Sequence, residues 1–572
     1  MSKLSQLKSC VNVTQLAILM GTKPKALAHA IHGIPDHEKY FEFKIPKKSG
    51  GSRLIQSPVP PLKKAQKLLA KVLYACLLEI EADANISERN ALSHGFSKGR
   101  SVITNASRHR NRRYVFNVDL EDFFPSIHFG RVRGFFAKNR HFELNDAVAT
   151  AIAQLACHNG ALPQGSPCSP VISNLLAHVL DVHLGRFAAA QGCSYTRYAD
   201  DLTFSTNRKD FPPSIGMPVE GSPHQWTAGD GLVGRVYRAG FRINNKKTRL
   251  QYRNSRQSAT GLVVNDKVNV PNEYYRQART MVHHLTTSGT FYFQDQTSPA
   301  TFGQLRGMLS FLFLVRGSAT EHKRIPIKNG ENEKQARPAF YRLYKRFLDF
   351  IYFHANDRPT IICEGKTDNT YLSEAIISLA KRYPGLFNGT ADKDRFLVKF
   401  FKYTDTSSAI QDLGGGTGDL SRFIYGYDGA IRQFSAPGKR NPVIIIVDND
   451  SGSSNIWTAI KKVADLPTAV TGLEPFYHVI NNLYVIPIPK IGTTETRIED
   501  FFDSTDLGII VNGRKFNPDE NTFDPKIHYP KSTFADEVKK RRGRINFTNF
   551  IPILDRIVQV QADYTARLAA LP

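Results

Sequence analysis

The chain has 572 residues, several times the length of a typical domain, and its 41% hydrophobic and 22% charged residues exclude a disordered, collagen-like or mainly coiled-coil protein. Its 76 lysines and arginines outnumber its 51 aspartates and glutamates, and the net charge of +25 favours a polyanionic partner. No apolar run is long enough to span a membrane and the first residues lack a secretory signal pattern, which predicts a cytoplasmic protein without membrane contact.

The excess positive charge is concentrated in the first part of the chain. Residues 1–356 hold 49 basic and 25 acidic side chains, whereas residues 357–572 hold 27 and 26. We therefore expect two electrostatically different pieces, with nucleic-acid binding by the first. The 6 cysteines form no CxxC pair or Cys/His cluster, so the sequence predicts neither a disulfide framework nor a zinc ribbon.

Helices dominate the predicted elements at the start of the chain. The first 40 residues are predicted to be helical, with Thr22 as the N-cap of a helix that has Pro24 in its first turn. A clearer helix is predicted over residues 61–82, where leucines recur at helical spacing.

A basic segment with a glycine turn lies between these helices, at residues 45–53 (IPKKSGGSR). A glycine turn with three cations fits an exposed basic hairpin, and such cations can neutralise phosphate charge as a transition state develops. Arg53 is the stronger candidate because guanidinium binds phosphate bidentately. Lys47 and Lys48 also fit a solvated basic surface.

Two short β-prone segments deliver carboxylates at their ends. Residues 114–119 form a strand pattern ending in Asp119, and residues 194–204 form a strand, tight turn and strand around Asp200 and Asp201. Carboxylates on adjacent strands can share two Mg²⁺ ions about 3.5–4 Å apart, one activating an attacking hydroxyl and one steadying a leaving pyrophosphate. The alternative for an isolated acidic pair is a solvated turn.

The segment between these acids is LPQGSPCSP, residues 162–170. The order of a basic GGxR segment, Asp119, LPQGSPCSP, YADD and a lysine-bearing segment resembles that of reverse transcriptases, over roughly residues 40–270. The resemblance implies an α+β right-hand polymerase with fingers, palm and thumb that uses deoxynucleoside triphosphates. It also implies that Asp119, Asp200 and Asp201 are catalytic residues that hold two Mg²⁺ ions.

The resemblance implies roles for residues near the acids. Gln164 and Gly165 would line the template and nucleotide pocket, and Arg53 would contact the incoming triphosphate. Phe124 would exclude a ribose 2′-hydroxyl by steric clash, although an aromatic ring there also fits a place in the core. The lysine expected to assist the leaving pyrophosphate is one of two neighbours, Lys246 or Lys247.

Two further motifs resemble those of retron reverse transcriptases. Asn105 and His109 match an NAxxH signature, and Thr260 and Gly261 begin a TGLVVN segment. The resemblance implies that a cognate structured noncoding RNA serves as template and primer, and that the product is a branched RNA-linked single-stranded DNA (msDNA). A host RNase H is an expected partner, and a second copy of the chain is left open. The thumb would contact the RNA through aromatic and basic side chains, which fit a thumb core equally well: Tyr274, Tyr275, Arg276, Arg279 and Arg306.

A second group of acids follows two predicted strands in the last part of the chain. TIIC (360–363) and VIIIV (443–447) are typical of buried strands in a parallel sheet. Glu364 follows the first strand, and Asp448 and Asp450 follow the second. Open α/β sheets bind ligands at the carboxyl ends of their strands, so these acids are predicted to meet.

This second pattern resembles the Toprim fold of topoisomerases, primases and overcoming-lysogenization-defect (OLD) nucleases, over about residues 357–505. IEDF at 498–501 resembles a segment of the OLD-type members and adds Glu499. The resemblance implies that Asp448, Asp450 and Glu499 hold one or two Mg²⁺ ions, joined by Asp368, and that Glu364 ligates metal or acts as a general base in phosphodiester cleavage. A Toprim module that binds or assembles without chemistry remains an alternative.

The predicted order of domains follows from these segments. It is fingers and palm with a helical extension (1–265), thumb and linker (266–356), an α/β Toprim domain with a parallel sheet (357–505) and an unassigned appendage (506–572). The predicted function is a retron-type reverse transcriptase joined to a Toprim nuclease effector in antiphage defence. A mobile-element replicase is the other alternative.

Overall fold

The computed structural model describes most of the chain. The described residues are 2–46, 50–87, 90–293, 298–317, 337–389, 395–492, 495–519 and 522–570. Lys47 and Lys48 lie outside them. The chain divides into two compact units, Met1–Pro271 and Asn272–Pro572, called unit 1 and unit 2 below. Within the described ranges, no helix combines the length and apolar character needed to cross a membrane.

Unit 1 begins with short helices, as the sequence predicts, and α4 confirms the helix expected over residues 61–82. The prediction that Thr22 is an N-cap is wrong, because Lys23 occupies that position and Pro24 leaves no first N–H to cap. The helices are α1 (Lys3–Lys8), α2 (Val13–Leu19), α3 (Pro24–Ala28), α4 (Pro60–Asp83), α5 (Val102–Ser107), α6 (Phe129–Lys138), α7 (Asp146–Ala156), α8 (Ser169–Ala190) and α9 (Asp230–Arg238).

The strands of unit 1 form one central sheet and three small hairpins. The central sheet has the order β4-β5-β3-β8 and is antiparallel throughout. The hairpins are β1-β2, β6-β7 and β9-β10. The strands are β1 (Tyr40–Pro46), β2 (Ser52–Pro58), β3 (Tyr114–Glu121), β4 (Ser194–Tyr198), β5 (Asp201–Thr206), β6 (Gly216–Val219), β7 (Ser222–Ala228), β8 (Arg242–Tyr252), β9 (Ser258–Ala259) and β10 (Leu262–Val263).

Strand β3 is the centre of unit 1 because both of its faces are covered. Its apolar residues Phe116, Val118 and Leu120 are buried in one core with residues of α4, α7 and α8. One edge of β3 pairs with β5. The other edge pairs with β8, with a register shift between Asn117 and Asp119. Burial of the strand therefore fixes the position of Asp119 near its end.

Unit 2 combines helices with a five-stranded sheet of order β12-β11-β13-β15-β14, in which the β14–β15 pair is antiparallel and the other pairs are parallel. Its strands are β11 (Thr360–Cys363), β12 (Lys399–Phe400), β13 (Val443–Val447), β14 (Tyr477–Ile480), β15 (Leu483–Pro487), β16 (Lys515–Phe516) and β17 (His528–Tyr529). Its helices are α10 (Asn272–Ser288), α11 (Phe302–Gly317), α12 (Ala339–Asp349), α13 (Asp368–Ser378), α14 (Asp405–Gln411), α15 (Thr417–Ile431), α16 (Ser454–Val463), α17 (Ser504–Leu507), α18 (Lys531–Lys540) and α19 (Ile551–Ala569).

The core of unit 2 extends beyond the sheet. Ile361 of β11 and Ile444 of β13 share one buried cluster with Phe534 of α18 and Ile553 of α19. The last helices therefore complete the hydrophobic covering of the sheet. Strands β11 and β13 lie side by side, and all of their residues are buried, as their continuous apolar sequences predict.

Candidate active sites

The carboxylates predicted in unit 1 meet near the ends of β3 and β4 and the start of β5. Asp119 of β3 pairs across the sheet with Asp201 of β5. Asp200 lies in the turn between β4 and β5, and its carbonyl oxygen accepts a hydrogen bond of 2.9 Å from the amide of Leu120. Asp119 is buried, whereas Asp201 reaches the surface. The strand–turn–strand prediction around YADD is thereby confirmed.

A fully buried arginine holds this turn. Arg197 bonds both carboxylate oxygens of Asp181, at 2.8 Å from Nε to Oδ1 and 2.7 Å from Nη2 to Oδ2. Its Nη1 donates to the carbonyl oxygen of Ala199, a residue with a φ of +55° that L-residues rarely adopt. The guanidinium therefore stabilises a strained turn next to Asp200.

Backbone packing supports the same turn from the other side. A Cβ on Gly95 would lie 2.4 Å from the amide nitrogen of Ala199, so only glycine allows this approach. The carbonyl oxygen of Gly95 accepts a hydrogen bond from Asn174 Nδ2 at 2.7 Å. Sequence reasoning missed both Gly95 and Arg197, although Arg197 lies within the strand, turn and strand predicted over residues 194–204.

Lys247 contacts the first carboxylate. Its Nζ lies 3.0 Å from both Oδ1 and Oδ2 of Asp119, and Asn244 Nδ2 lies 3.4 Å from Oδ2. Lys246 makes no such contact and does not line the cleft around the acids. Of the two lysines left open by the sequence, the geometry therefore places Lys247 at Asp119.

The electrostatics of this group suit a divalent cation. Burial raises the pKa of Asp200, and the neighbouring carboxylate of Asp119 raises it further. Carboxylate oxygens are the hard donors that Mg²⁺ takes. Among the described residues, no three His, Cys, Asp or Glu side chains are already arranged around one point as ligands. The donor chemistry fits Mg²⁺, while the ammonium of Lys247 supplies the positive charge beside Asp119.

Asp119 and Asp200 line a cleft of about 1240 Å³ within unit 1, whereas Asp201 does not line it. Arg53 of the β1-β2 hairpin, Gln164, Gly165 and Phe124 all line it, as the sequence predicts for a nucleotide pocket. The carbonyl oxygen of Gln164 accepts a hydrogen bond of 2.7 Å from the amide of Gln56, which attaches the LPQG segment to β2. Phe124 is half-buried and packs on Phe96 and Phe123 at centroid distances of 6.1 and 5.4 Å.

Gly165 makes a close backbone contact with the hairpin. Its φ is +129°, and a Cβ there would lie 2.5 Å from the carbonyl oxygen of Gln56. We expect Gly165→Ala to lower DNA synthesis about 10- to 100-fold, because the clash displaces the cleft wall. Primer extension on an RNA template measures this.

Gly160→Ala is the matched control for that substitution. Gly160 also has a positive φ, +78°, but a Cβ there would meet nothing within 4 Å. Equal activity losses in the two variants would mean that backbone strain, and not the contact with Gln56, sets the effect.

The NAxxH residues form a buried network behind the catalytic turn. His109 Nδ1 lies 2.8 Å from Ser205 Oγ and its Nε2 lies 2.7 Å from Thr196 Oγ1. The same Thr196 hydroxyl donates to Asn105 Oδ1 at 2.7 Å. Burial lowers the pKa of His109 to about 3, so the ring is neutral. These two residues connect α5 to both strands that flank YADD.

The second retron-like motif contacts the same helix. Thr260 and Gly261 form the tight turn between β9 and β10, with φ values of +47° and +81°. Thr260 Oγ1 donates to the carbonyl oxygen of Val102, the first residue of α5, at 3.3 Å. The structure thus brings the two motifs together around α5.

The carboxylates predicted in unit 2 gather at the carboxyl ends of β11 and β13. Glu364 Oε2 accepts a hydrogen bond of 3.2 Å from the amide of Asp448. Asp448 Oδ1 accepts one of 3.0 Å from the amide of Ile498, in the IEDF segment. Asp368 Oδ2 accepts one of 2.6 Å from Gly365. Burial raises the pKa of Glu364 to about 7 and that of Asp448 to about 8.

Two acids of this group have buried oxygens that lack hydrogen-bond donors. Asp450 Oδ1 and Glu499 Oε2 are buried and have no hydrogen-bond partner among the described residues. Glu499 is 2% exposed, and its Oε1 lies 2.9 Å from Lys531 Nζ. Asp450 Oδ2 lies 3.6 Å from Arg497 Nε. Unsatisfied carboxylate oxygens beside several other acids fit a Mg²⁺ ion.

Lys531 is a residue of this site that sequence reasoning missed. It begins α18, within the segment that the sequence left unassigned, and its ammonium reaches Glu499. Although burial disfavours the charged form, the carboxylates of Glu499, Asp448 and Asp368 raise the pKa of Lys531. Lys531 is therefore a cation held among the acids.

The raised pKa values predict a pH-dependent Mg²⁺ affinity in unit 2. Below about pH 8, Mg²⁺ must displace a proton from Asp448. The affinity for Mg²⁺ should therefore fall about tenfold for each pH unit of acidification and each proton displaced. Without Mg²⁺, the free energy of unfolding of unit 2 should be greatest when Asp448 is protonated. It should decrease as the pH rises from 3.8 toward about 8, because the folded state binds the proton more tightly.

Thermal unfolding with excess Mg²⁺ or EDTA, at pH values between about 6 and 9, measures both effects. Asp448→Asn is the control because it removes the titrating carboxyl while retaining the shape of the side chain. A Mg²⁺ stabilisation that is equal at all these pH values in the unsubstituted chain would contradict the prediction.

Comparisons with known proteins agree with the polymerase motifs. Residues 45–270 match the family model described as reverse transcriptase (RNA-dependent DNA polymerase). The chain is 32% identical over 327 residues to the retron Mx65 reverse transcriptase of Myxococcus xanthus, covering 54% of this chain and 69% of that protein.

Two other relatives align over a smaller share of their length. The retron Mx162 reverse transcriptase of Myxococcus xanthus is 33% identical, covering 48% of this chain and 58% of that protein. The retron Ec86 reverse transcriptase of Escherichia coli is 33% identical, covering 41% of this chain and 65% of that protein. This chain thus spans less than two thirds of either protein. Together with the extent of the Mx65 match, the shared motifs show that the chain belongs to the retron reverse transcriptases.

Proposed function

We propose that unit 1 is an RNA-directed DNA polymerase that makes branched, RNA-linked DNA from a cognate structured RNA. The observation that carries the proposal is the convergence of five separate segments on one cleft. Asp119, Asp200 and Lys247 lie beside one another, and Arg53 and Gln164 line the same cavity. A cleft with acids at its base and cations on its walls suits a triphosphate and a primer end.

The residues of this site are proposed for three tasks. Asp119, Asp200 and Asp201 would hold Mg²⁺, which supplies Lewis-acid activation of the primer hydroxyl and charge neutralisation on the phosphates. Arg53 would bind the triphosphate bidentately. Lys247, released from Asp119, would donate a proton or hydrogen bond to the departing pyrophosphate.

Phe124 is proposed to select deoxyribonucleotides. Its ring lines the cleft and is held by Phe96 and Phe123, so it does not turn aside for a 2′-hydroxyl. We expect Phe124→Ala to raise incorporation of ribonucleotides relative to deoxyribonucleotides at least about tenfold, which corresponds to about 1.4 kcal/mol of removed clash. Single-nucleotide extension with dNTPs and rNTPs measures this ratio.

Phe96→Ala is the control for that substitution. Phe96 contacts Phe124 and also lines the cleft, so its loss loosens the ring without removing it. An unchanged ratio in Phe124→Ala would exclude the gate and leave Phe124 as a core aromatic.

We propose that the residues of the retron motifs act by positioning the strands around YADD. His109 and Asn105 are fully buried, which supports a role in holding β4 and β5 behind YADD. Selection of the cognate RNA, priming from a 2′-hydroxyl of an internal guanosine and removal of template by a host RNase H belong to the same proposal, and the resemblance to retron reverse transcriptases supports them.

We propose that unit 2 carries a second, Mg²⁺-dependent phosphodiesterase site of the Toprim type. Five acids at the carboxyl ends of two parallel strands, two of them with unsatisfied buried oxygens, support this. Asp448, Asp450 and Glu499 would hold Mg²⁺ together with Asp368, Glu364 would hold Mg²⁺ or act as a general base, and Lys531 would stabilise charge on the scissile phosphate.

The biological role proposed for a polymerase and a nuclease in one chain is antiphage defence. In this role, the polymerase and its hybrid product restrain the nuclease. Incubation of the purified chain with single- and double-stranded DNA, RNA and transfer RNA in Mg²⁺ tests the nuclease. Cleavage that is lost in Glu364→Gln would support it. No cleavage of any substrate, together with Mg²⁺ binding, would favour a Toprim module that binds without chemistry.

A further inference from the structure

A second large cavity lies within unit 2, among α10, α12 and α15. Its volume is about 1100 Å³, which exceeds that needed for an inorganic anion and is in the range of nucleotide pockets. Five cationic and three acidic side chains line it. Glu364, Asp448, Asp450, Glu499 and Lys531 do not, so this cavity, called the α12–α15 cleft below, differs from the acidic site.

The acids of the cleft already have cationic or polar partners. Asp349 Oδ2 lies 2.7 Å from Lys345 Nζ, and its Oδ1 accepts a hydrogen bond from Gln411. Asp412 lies 2.7 Å from Arg337, and Asp419 pairs with Arg422. These ion pairs do not include Arg279 or Arg346.

Two arginines of the cleft are without such partners. Arg279 and Arg346 make no ion pair and no side-chain hydrogen bond with any residue that the structure describes. Arg346 Nε is buried and has no hydrogen-bond acceptor in that part of the chain. A buried guanidinium nitrogen without an acceptor is costly, and a bound phosphate would satisfy it.

Helix α15 supplies an aromatic side chain and open space to the lining of the cleft. Phe423 of α15 is half-buried against Phe353, with ring centroids 4.9 Å apart. Gly426 and Gly429 follow on the same helix, and a Cβ on either would meet nothing within 4 Å. An aromatic ring with space beside it, in a cleft that also holds guanidinium groups, suits a nucleobase with its phosphates.

We propose that the α12–α15 cleft binds a nucleoside phosphate, with Arg346 and Arg279 on the phosphate and Phe423 against the base. The ligand is either a free nucleotide or the end of a nucleic-acid strand, since both present this chemistry. Hydrogen bonds donated by backbone amides also link the wall of the cleft to the acidic site. Asp419, on its wall, accepts a hydrogen bond from Gly414, and Gly416 donates to the carbonyl oxygen of Glu364.

The test measures binding to the full chain by calorimetry in EDTA, where a nucleotide site that depends on Mg²⁺ does not contribute. The probes are dATP, a 5′-phosphorylated thymidine oligonucleotide of about eight residues, and inorganic triphosphate. We expect Arg346→Gln to weaken binding of dATP or the oligonucleotide at least about tenfold, and Arg346→Lys to weaken it less.

A second variant keeps the proposal testable if Arg346→Gln does not fold. Gly429→Met fills the recess without a change of charge and should weaken binding to the same extent. Arg432→Gln is the matched control, since this exposed arginine of the same region pairs with Asp428 and does not line the cleft. Primer extension should be unchanged in all four variants.

The outcomes separate the sources of the ligand. Tighter binding of dATP than of the oligonucleotide would support a free nucleotide, and the reverse would support a strand end. Equal binding of inorganic triphosphate and dATP would overturn the proposal in favour of non-specific anion binding. The proposal would also be overturned by equal affinities in the unsubstituted chain, Arg346→Gln and Gly429→Met, or by no binding of any probe.

Discussion

Replacement of Arg197 by methionine is expected to lower the free energy of unfolding of unit 1 by about 3–5 kcal/mol. The guanidinium is completely buried, and its loss would leave the carboxylate of Asp181 buried without a counter-charge. It would also release the strained carbonyl of Ala199 and the side chain of Asn174, so DNA synthesis should be lost as well. Denaturant unfolding of the full chain, followed by primer extension, measures the two effects.

The double variant Arg197→Met with Asp181→Leu separates stability from positioning. Removal of both charges avoids the unpaired carboxylate, so most of the stability should return. Activity should stay low, because no donor then fixes the turn that carries Asp200. Recovery of activity together with stability would show that Arg197 supports the fold and does not position the catalytic turn.

Asp200→Asn is expected to reduce DNA synthesis by at least about a thousandfold while leaving any cleavage by unit 2 intact. The substitution removes the charge of a carboxylate that interacts with Asp119 at the base of the cleft. Asp448→Asn is the reciprocal variant, because it alters the acids of unit 2 and leaves the polymerase acids in place.

Phage plating distinguishes how the two sites cooperate. If unit 2 is a nuclease effector, Asp448→Asn should abolish phage restriction while DNA synthesis persists. Restriction that survives Asp448→Asn unchanged and is lost in Asp200→Asn would contradict the nuclease and favour a module that only binds or assembles.

The sequence predicted that the acids of each site lie close together, because Asp119 lies near the end of a β-prone run and Glu364 and Asp448 each follow a short apolar strand. Asp119 is itself buried near the end of β3, and Asp448 directly follows the buried strand β13; both positions follow from local patterning. The helix over 61–82 was also predictable from leucine spacing. In each case the sequence pattern that supports the prediction lies within about twenty residues.

Contacts between distant segments were not predictable in this way. Lys531 meets Glu499 only because α18 packs on the sheet. Arg197 finds Asp181 across the packing of β4 on α8. Nothing in the local sequence around either cation distinguishes it from a solvated basic residue.

The choice between Lys246 and Lys247 shows a different limit. Alternation along a regular strand would decide which lysine faces Asp119. The β3–β8 pairing passes from Asn117 opposite Arg249 to Asp119 opposite Asn244, so both lysines lie in an irregular stretch. Side-chain direction does not follow simple alternation there, and only the folded geometry identifies Lys247.

The most direct test of the central claim is the nucleic acid that co-purifies with the chain. The protein is expressed in bacteria with its flanking DNA, and the bound nucleic acid is sequenced before and after RNase and debranching treatment, with Asp200→Asn as control. We predict a single short DNA joined to RNA through a branch and absent in the control. Heterogeneous linear DNA, or none, would contradict a retron polymerase activity and favour a mobile-element replicase or a binding protein.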